Sequence, residues 1–417
     1  MKEMKDSSVL WIGTIPKDWG ISRVKHAFTR KNEKAHQENP IVLSLARSGV
    51  RIRDLSNNEG QIAESYNDYN PVSVGDLLLN PMDLYSGANC SISCVDGVIS
   101  PAYVNLRYKE GIADPRYYDY YFKTQYWAMA MFAHGKGVSF DNRWTLGIDT
   151  LFNYYIPAPS FDEQRRIAAF LDAKCAEIDS ILEKTRASIE EYKKLKQSVI
   201  TEAVTKGIRG ERPMKDSGEE WIGEIPSDWE VLKNSLLFRE NVRSPKPEDI
   251  SLSLSQEDGL IPTEDMKESS LKTSTYEGWK RVHVGDLVLN RFKAHLGVFF
   301  SATLEGIVSF HYGVFEPQVE LSSKYFEYLC HSEPYRAIYA NKSNGMVVGL
   351  QNLSNQNFYS VKSLFPTLAE QQEIAAYLDE KCAAIDSLVA SKESLMKELE
   401  DYKKSLIYEY VTGKKEV

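Results

Sequence analysis

The chain has 417 residues, of which 42% are hydrophobic and 26% charged, with a formal net charge of −9. That is the composition of a folded globular protein with room for two or three domains. It excludes a basic module that grips nucleic acid by charge alone. No run approaches the ~18 apolar residues of a membrane span, and the opening MKEMKDSS lacks the apolar core of a secretory signal. Five cysteines without a C-x-x-C pair fit structural thiols in a reducing, cytoplasmic setting, and no metal site is expected.

In chain order, the first landmark is MKDSSVLWIGTIPKDW, Met4 to Trp19. It returns as MKDSGEEWIGEIPSDW, Met214 to Trp229, with eleven of sixteen positions identical. The repeat continues through the whole chain. Val74-Gly75-Asp76-Leu77-Leu78-Leu79-Asn80 returns from Val284 to Asn290. EQRRIAAFLDAKCAEIDS, from Glu163, returns as EQQEIAAYLDEKCAAIDS, from Glu370. Four segments result: 1–158, 159–210, 211–365 and 366–417. Over 1–158, 159–215, 216–365 and 366–417 the basic and acidic counts are 17 and 17, 12 and 10, 14 and 21, and 7 and 11.

Residues 1–158 and 211–365 read as mixed α and β. Short apolar runs such as Pro40–Leu45 and Gly75–Leu79 alternate with Gly, Asn and Asp turns. A helix is predicted around Pro115–Phe132 and again around Ser323–Ala340, its dense Tyr and Trp serving as core packing. Trp11, Trp19, Trp221 and Trp229 are expected to seal the edge of each globule.

Residues 159–210 and 366–417 read as long helices. Ser160-x-x-Glu163 and Thr367-x-x-Glu370 predict capping boxes just after Pro159 and Pro366. One apolar seam follows through Ile167, Leu171, Ile178, Leu182, Ile189, Tyr192 and Val199. The other runs through Ile374, Leu378, Ile385, Val389, Met396, Leu399 and Leu406. Cys175 and Cys382 fall on these seams as fillers, and Gly207 and Gly413 are the expected stops. The order of segments implies antiparallel helices with a globule at each end, and a chain that nearly closes on itself. The predicted fold is α+β: two pseudo-symmetric α/β domains joined by two long antiparallel helices that form a coiled-coil spacer.

The halves diverge in loops 46–53, 80–87 and 136–147, and in 255–262, 290–297 and 344–353. Asn80-PMDLYS-Gly87 faces Asn290-RFKAHL-Gly297, for example, with the ends kept and the interior changed. A shared scaffold with divergent polar loops is a means of varying binding specificity. Arg and Lys suit guanine edges, and Asn and Gln suit adenine. The DNA-contact candidates are Arg47, Arg51, Arg53, Lys136 and Arg143 in the first half. In the second they are Arg291, Lys293, His295, Lys342, Asn344 and Gln351.

The W-I-G-x-I-P-x-x-W opening, the EQ-x-x-IA helix start and their duplication make the chain resemble the specificity subunit of type I restriction-modification systems. That resemblance implies target-recognition domains that each read one part of a bipartite asymmetric DNA site. The helices would set the gap and dock two modification (adenine methyltransferase) subunits, with restriction subunits as further partners. It places Glu163, Gln164, Ile167, Leu171 and Asp172 in one docking and spacer element, and Glu370, Gln371, Ile374, Leu378 and Asp379 in the other. It also implies no cofactor in this chain, with S-adenosylmethionine, ATP and Mg on the partner subunits. Two rivals stand beside it. An adenine methyltransferase needs an Asn/Asp-Pro-Pro-(Tyr/Phe) signature, and Asn39-Pro40, Asn70-Pro71 and Asn80-Pro81 all lack the second Pro. A coiled-coil adaptor that reads no DNA is the other.

Overall fold

The computed structural model describes residues 2–37, 39–46, 48–55, 63, 65–82, 84, 89–137, 144–256, 258–266, 276–343 and 352–417. The chain divides into two compact units, Met1–Thr185 with Ser394–Val417, and Arg186–Glu393. Each unit thus takes one half of each long helix.

In the first unit, apolar runs bounded by turns give two four-stranded sheets. One is mixed, in the order Gly49–Ile52, Val42–Ala46, Gly97–Ile99, Asn70–Val72. The other is antiparallel, in the order Phe28–Arg30, Val104–Tyr108, Leu77–Leu79, Cys90–Ile92. The strand Leu77–Leu79 is entered through a turn that needs a left-handed residue, supplied by Gly75 at φ 89°. Asp76 closes that turn by accepting the Ser73 N–H at 2.8 Å. Helix α1 (Pro115–Trp127) starts on Asp114, whose carboxylate accepts the Arg116 N–H, with Pro115 in the first turn. It buries Tyr117, Tyr118, Tyr121 and Phe122, all at most 1% exposed, as the core-packing reading expects. It is shorter than predicted: the chain leaves it at Ala128, and Met129 takes a positive φ.

Helix α2 (Phe161–Lys206) runs 46 residues, about 69 Å at ~1.5 Å per residue, and passes from the first unit into the second.

The second unit repeats the plan. An antiparallel sheet orders Phe238–Glu240, Tyr312–Pro317, Leu287–Asn290 and Phe299–Ser301. In place of the mixed sheet stand two hairpin-like ladders, Leu252–Ser255 with Gly259–Pro262 and Lys280–Val282 with Gly306–Val308. A single parallel bridge, Ser251 to Ile307, joins them. The helix predicted over Ser323–Ala340 is two, α3 (Ser323–His331) and α4 (Glu333–Lys342). Pro334 cannot donate to a continuing helix, so the chain extends at Ser332 and restarts with Pro334 in the first turn. Helix α5 (Leu368–Val411) runs 44 residues, about 66 Å.

The two predicted seams are buried at most positions and half-buried at Tyr192, Val199, Val389, Met396 and Leu399. Ile167, Leu171, Ile178, Leu182, Ile374, Leu378 and Leu406 are all at most 6% exposed. Each such side chain contributes roughly 1.5–3 kcal/mol. Within each unit the helices run antiparallel. In the first, Phe170 meets Tyr410 at 4.5 Å and Lys403 reaches Asp179 at 2.6 Å. In the second, Lys196 reaches Asp386 at 2.6 Å and Arg209 reaches Glu373 at 2.8 Å. As numbers rise on α2 they fall on α5. Solvent-exposed pairs of this kind are worth under about 1 kcal/mol, so the seam supplies the energy and the pairs mark the register. Cys175 and Cys382 sit on the seam, and burial pushes both thiols up.

Candidate nucleic-acid interface and docking elements

The two repeated motifs of each half lock onto one another. Trp19 donates its indole N–H to Glu163 at 3.0 Å, and Trp229 donates to Glu370 at 3.1 Å. The predicted capping boxes therefore form only in part. The Glu163 N–H reaches Ser160 Oγ at 3.3 Å and the Glu370 N–H reaches Thr367 Oγ1 at 3.4 Å. The carboxylates turn instead to the buried tryptophan and to a cation. Lys2 lies 2.6 Å from Glu163, and Arg212 Nη2 lies 2.7 Å from Glu370 Oε1. The Arg212 contact is a charge contact, and Glu370 Oε1 takes no hydrogen bond.

The following glutamines fasten the helix starts. Gln164 Oε1 accepts the Asp114 N–H at 2.8 Å, and its amide donates to the carbonyls of Ile112 and Pro159 at 3.0 Å. Gln371 accepts the Ser322 N–H at 2.8 Å and donates to the Pro366 carbonyl at 2.9 Å. Asp172 accepts from Tyr120 at 3.0 Å, and Asp379 from Tyr328 at 2.7 Å. The helix ends are held too. Tyr117 donates to the Val411 carbonyl at 2.8 Å, and Tyr325 to that of Val204 at 3.4 Å. Gly413 lies against Pro16 and Trp19 so closely that a Cβ would come within 2.5 Å of the proline ring. The end of the second long helix thus meets the opening segment, as the repeat order predicts.

These contacts use most of the residues that the resemblance assigns to docking. Gln164, Ile167, Leu171, Glu370, Gln371, Ile374 and Leu378 are at most 3% exposed. Their side chains hold the chain to itself and offer no surface to a partner. Only Asp172 and Asp379, with the partly covered Glu163, reach the outside.

Of the DNA-contact candidates, Arg47, Arg143, Asn344 and Gln351 lie outside the described residues. Arg51 is exposed on Gly49–Ile52. Arg53 lines an open cleft of about 490 Å³ with Tyr69, Met82 and Tyr103. Lys136 is exposed, and its backbone pairs with Thr145. Lys293 is exposed in the turn after Leu287–Asn290. His295 is half-buried with an unpartnered Nδ1, and Lys342 ends α4, its carbonyl taken by Asn357.

Arg291 departs from a free base reader. It lies 2.8 Å from Glu240 and donates to the Leu353 carbonyl at 3.3 Å. Glu240 also accepts from Lys280 at 2.8 Å and from Asn355. Burial pushes the Glu240 carboxyl up, but Lys280, Arg291 and Asn355 outweigh it and hold it below its ordinary value. Asp76 behaves alike: burial is outweighed by hydrogen bonds from Arg107, the Ser73 N–H and Asn105, and by the charge of Lys31. Arg107, Lys31 and Lys280 therefore serve the scaffold.

Glu240 was not singled out from sequence, although a signal exists. It stands where the first half has Arg30, while Lys280 and Arg291 stand where Asn70 and Pro81 do. Three concerted exchanges mark one new ion cluster.

No family model matches the chain. The chain is similar to the Type I restriction enzyme MjaVIII specificity subunit of Methanocaldococcus jannaschii, with 29% identity over 164 residues. That match spans 39% of this chain and 35% of the relative, so about a third of the relative's length is matched. The putative type I restriction enzyme MjaX specificity subunit of the same organism is 24% identical over 97% of this chain and 95% of its own. Among solved structures, a chain from a study of complex assembly in the type I R-M system aligns with TM-score 0.69 and 16% identity. It covers 95% of this chain and 98% of that one. The HsdS subunit from Thermoanaerobacter tengcongensis aligns with TM-score 0.52 and 15% identity, over 96% of this chain and 98% of that one. At these identities the structural likeness speaks for the fold: mixed sheets with two long helices. Among the described residues no helix is long and apolar enough to cross a membrane.

Proposed function

We propose that this chain is the DNA sequence-specificity subunit of a type I restriction-modification complex. The observation that carries the reading is a pair of equivalent units with divergent loops, in a chain whose near-full-length relative is named a specificity subunit. Each unit reads one part of a bipartite, asymmetric site through the loops at Arg51, Arg53 and Lys136, and at Lys293 and His295. The long helices set the gap between the parts and dock two modification subunits. Docking falls to outward neighbours of the buried motif, such as Arg165 and Arg166, and Gln372 and Glu380. Methyl transfer, with S-adenosylmethionine, and ATP- and Mg-dependent restriction belong to the partner subunits, so this chain contributes no reacting group. The setting is the cytoplasm. An acidic second half, with 14 basic and 21 acidic side chains over 216–365, fits a subunit that holds DNA together with its partners. The adaptor reading is disfavoured, since the two curated relatives described above are named specificity subunits.

Methylome sequencing of the host with and without this gene tests the proposal. One bipartite adenine-methylated motif should vanish completely on deletion. A methylome unchanged by the deletion would refute the reading.

A further inference from the structure

The second unit carries three rings at the tip of a strand pair, with His311 packed against the other two. Leu287–Asn290 pairs with Tyr312–Pro317, ending at Asn290 opposite Tyr312. Just beyond that end lie Phe292 on one strand's exit and Phe310 and His311 on the other's approach. His311 is 3.9 Å from Phe310 and 5.4 Å from Phe292, centroid to centroid. Phe310 is 55% exposed and Phe292 39%. A single exposed Phe needs no explanation, but rings clustered on one tip form a patch that water does not favour. The tip is braced. Asn290 accepts the Phe292 N–H at 3.1 Å through its side chain and the Lys293 N–H at 3.0 Å through its carbonyl, and Ser309 accepts the Tyr312 N–H at 3.0 Å. Lys293 stands exposed beside the rings.

The first unit has Met82, Pro101 and Ala102 at the matching positions. There the structure opens into the cleft lined by Arg53, Tyr69, Met82, Ala102 and Tyr103. An aromatic pair stands at matching positions in both units: Tyr66 on Tyr69 at 5.1 Å and Tyr276 on Trp279 at 5.0 Å. At this place the first unit has a hollow and the second an aromatic point.

We propose that Phe310 and Phe292 form a wedge that enters a base step of the half-site read by the second unit and partly unstacks it. This rests on the DNA-reading function proposed above. Duplex DNA suits the patch because it presents apolar base faces behind a rim of phosphate, and Lys293 sits where a phosphate would meet it. Phe side chains are among those that wedge between base steps in this manner. Stacking on an aromatic ring tolerates any base, so the wedge adds affinity and a preference for a deformable step while the loops read the edges.

The test uses the chain assembled with its modification subunits, and duplexes that carry 2-aminopurine in turn at each position of the second half-site. Fluorescence should rise several-fold at one step when the wild-type complex binds. In the Phe292→Ala/Phe310→Ala double variant that rise should disappear and affinity should fall at least about fivefold. Phe310→Trp should restore it. Both side chains are exposed, so the variant should melt with the wild type and methylate the same motif more slowly. No rise at any position with the wild type, or a rise unchanged in the double variant, overturns the wedge. So does a variant that fails to assemble with the modification subunits in the absence of DNA, which would make the tip a protein contact. A wild-type complex without sequence-specific binding would sink the DNA-reading function itself. Specific methylation without unstacking would sink the wedge alone.

Discussion

Glu370→Ala is expected to destabilise the second unit by about 3–5 kcal/mol, the cost of stripping one member from a buried charge pair. The Glu370 side chain is 1% exposed and Arg212 is 13% exposed. Removing the carboxylate leaves the Arg212 guanidinium with the more distant Asp228 at 3.8 Å and the Lys206 carbonyl at 3.4 Å, and strands the indole N–H of Trp229, itself fully buried. Glu163, its counterpart, is 14% exposed, and its cation Lys2 is 26% exposed. Water can replace much of what Glu163→Ala removes there, so that variant should cost only about 1–2 kcal/mol. Glu370→Gln keeps an acceptor for the indole but loses the charge, and should fall between the two. Denaturant unfolding followed by tryptophan fluorescence gives the comparison. Equal losses for Glu163→Ala and Glu370→Ala would show that burial does not set the worth of this latch.

Inserting four residues after both Ser188 and Leu395 should lengthen the unread gap of the methylated motif by one or two base pairs. Four residues add about 6 Å to each helix and overshoot one turn by about 40°. DNA advances about 3.4 Å per base pair. Both points lie within three residues of the division between units, Thr185 to Arg186 and Glu393 to Ser394. The buried latches at Glu163 and Glu370 and the loops on each unit are untouched, so both half-motifs should persist. Insertion in one helix alone would break the antiparallel register marked by Lys403 with Asp179 and Lys196 with Asp386. A methylome showing full modification with the original gap would remove the helices as the ruler.

Much of this architecture was legible because the chain states it twice. Aligned seams at Ile167 and Ile374 place both helices to within a residue or two, since a 3.6-residue period over more than forty residues leaves little ambiguity. Local signals misled where a distant partner competed. Ser160-x-x-Glu163 reads as a reciprocal cap, yet Trp19, 144 positions away, takes the carboxylate. The break between α3 and α4 was written in Pro334, and the aromatic periodicity around it masked the stop.

The candidate site was less legible, for a physical reason. Residue type tells what a side chain could bind, while its availability depends on which strands the fold brings beside it. Arg291 suits a guanine edge by chemistry, but Glu240, two strands across the same sheet, engages it first. Phe292 and Phe310 lie just beyond the ends of separate strands and come to one tip only when Leu287–Asn290 pairs with Tyr312–Pro317. Gln164 and Leu171 illustrate the converse: a repeated motif marks a shared task, and here the task is fastening each helix to its own unit.

The central claim is that the two units read DNA independently. Replacing residues 20–158 with the matching segment of a relative that has a different target, then sequencing the methylome, tests it most directly. The exchanged segment leaves out α2 and α5, so the gap should stay constant. The account predicts that one part of the bipartite motif changes to that of the donor while the other part and the gap remain as they were. A motif altered in both parts, or in neither, would contradict it.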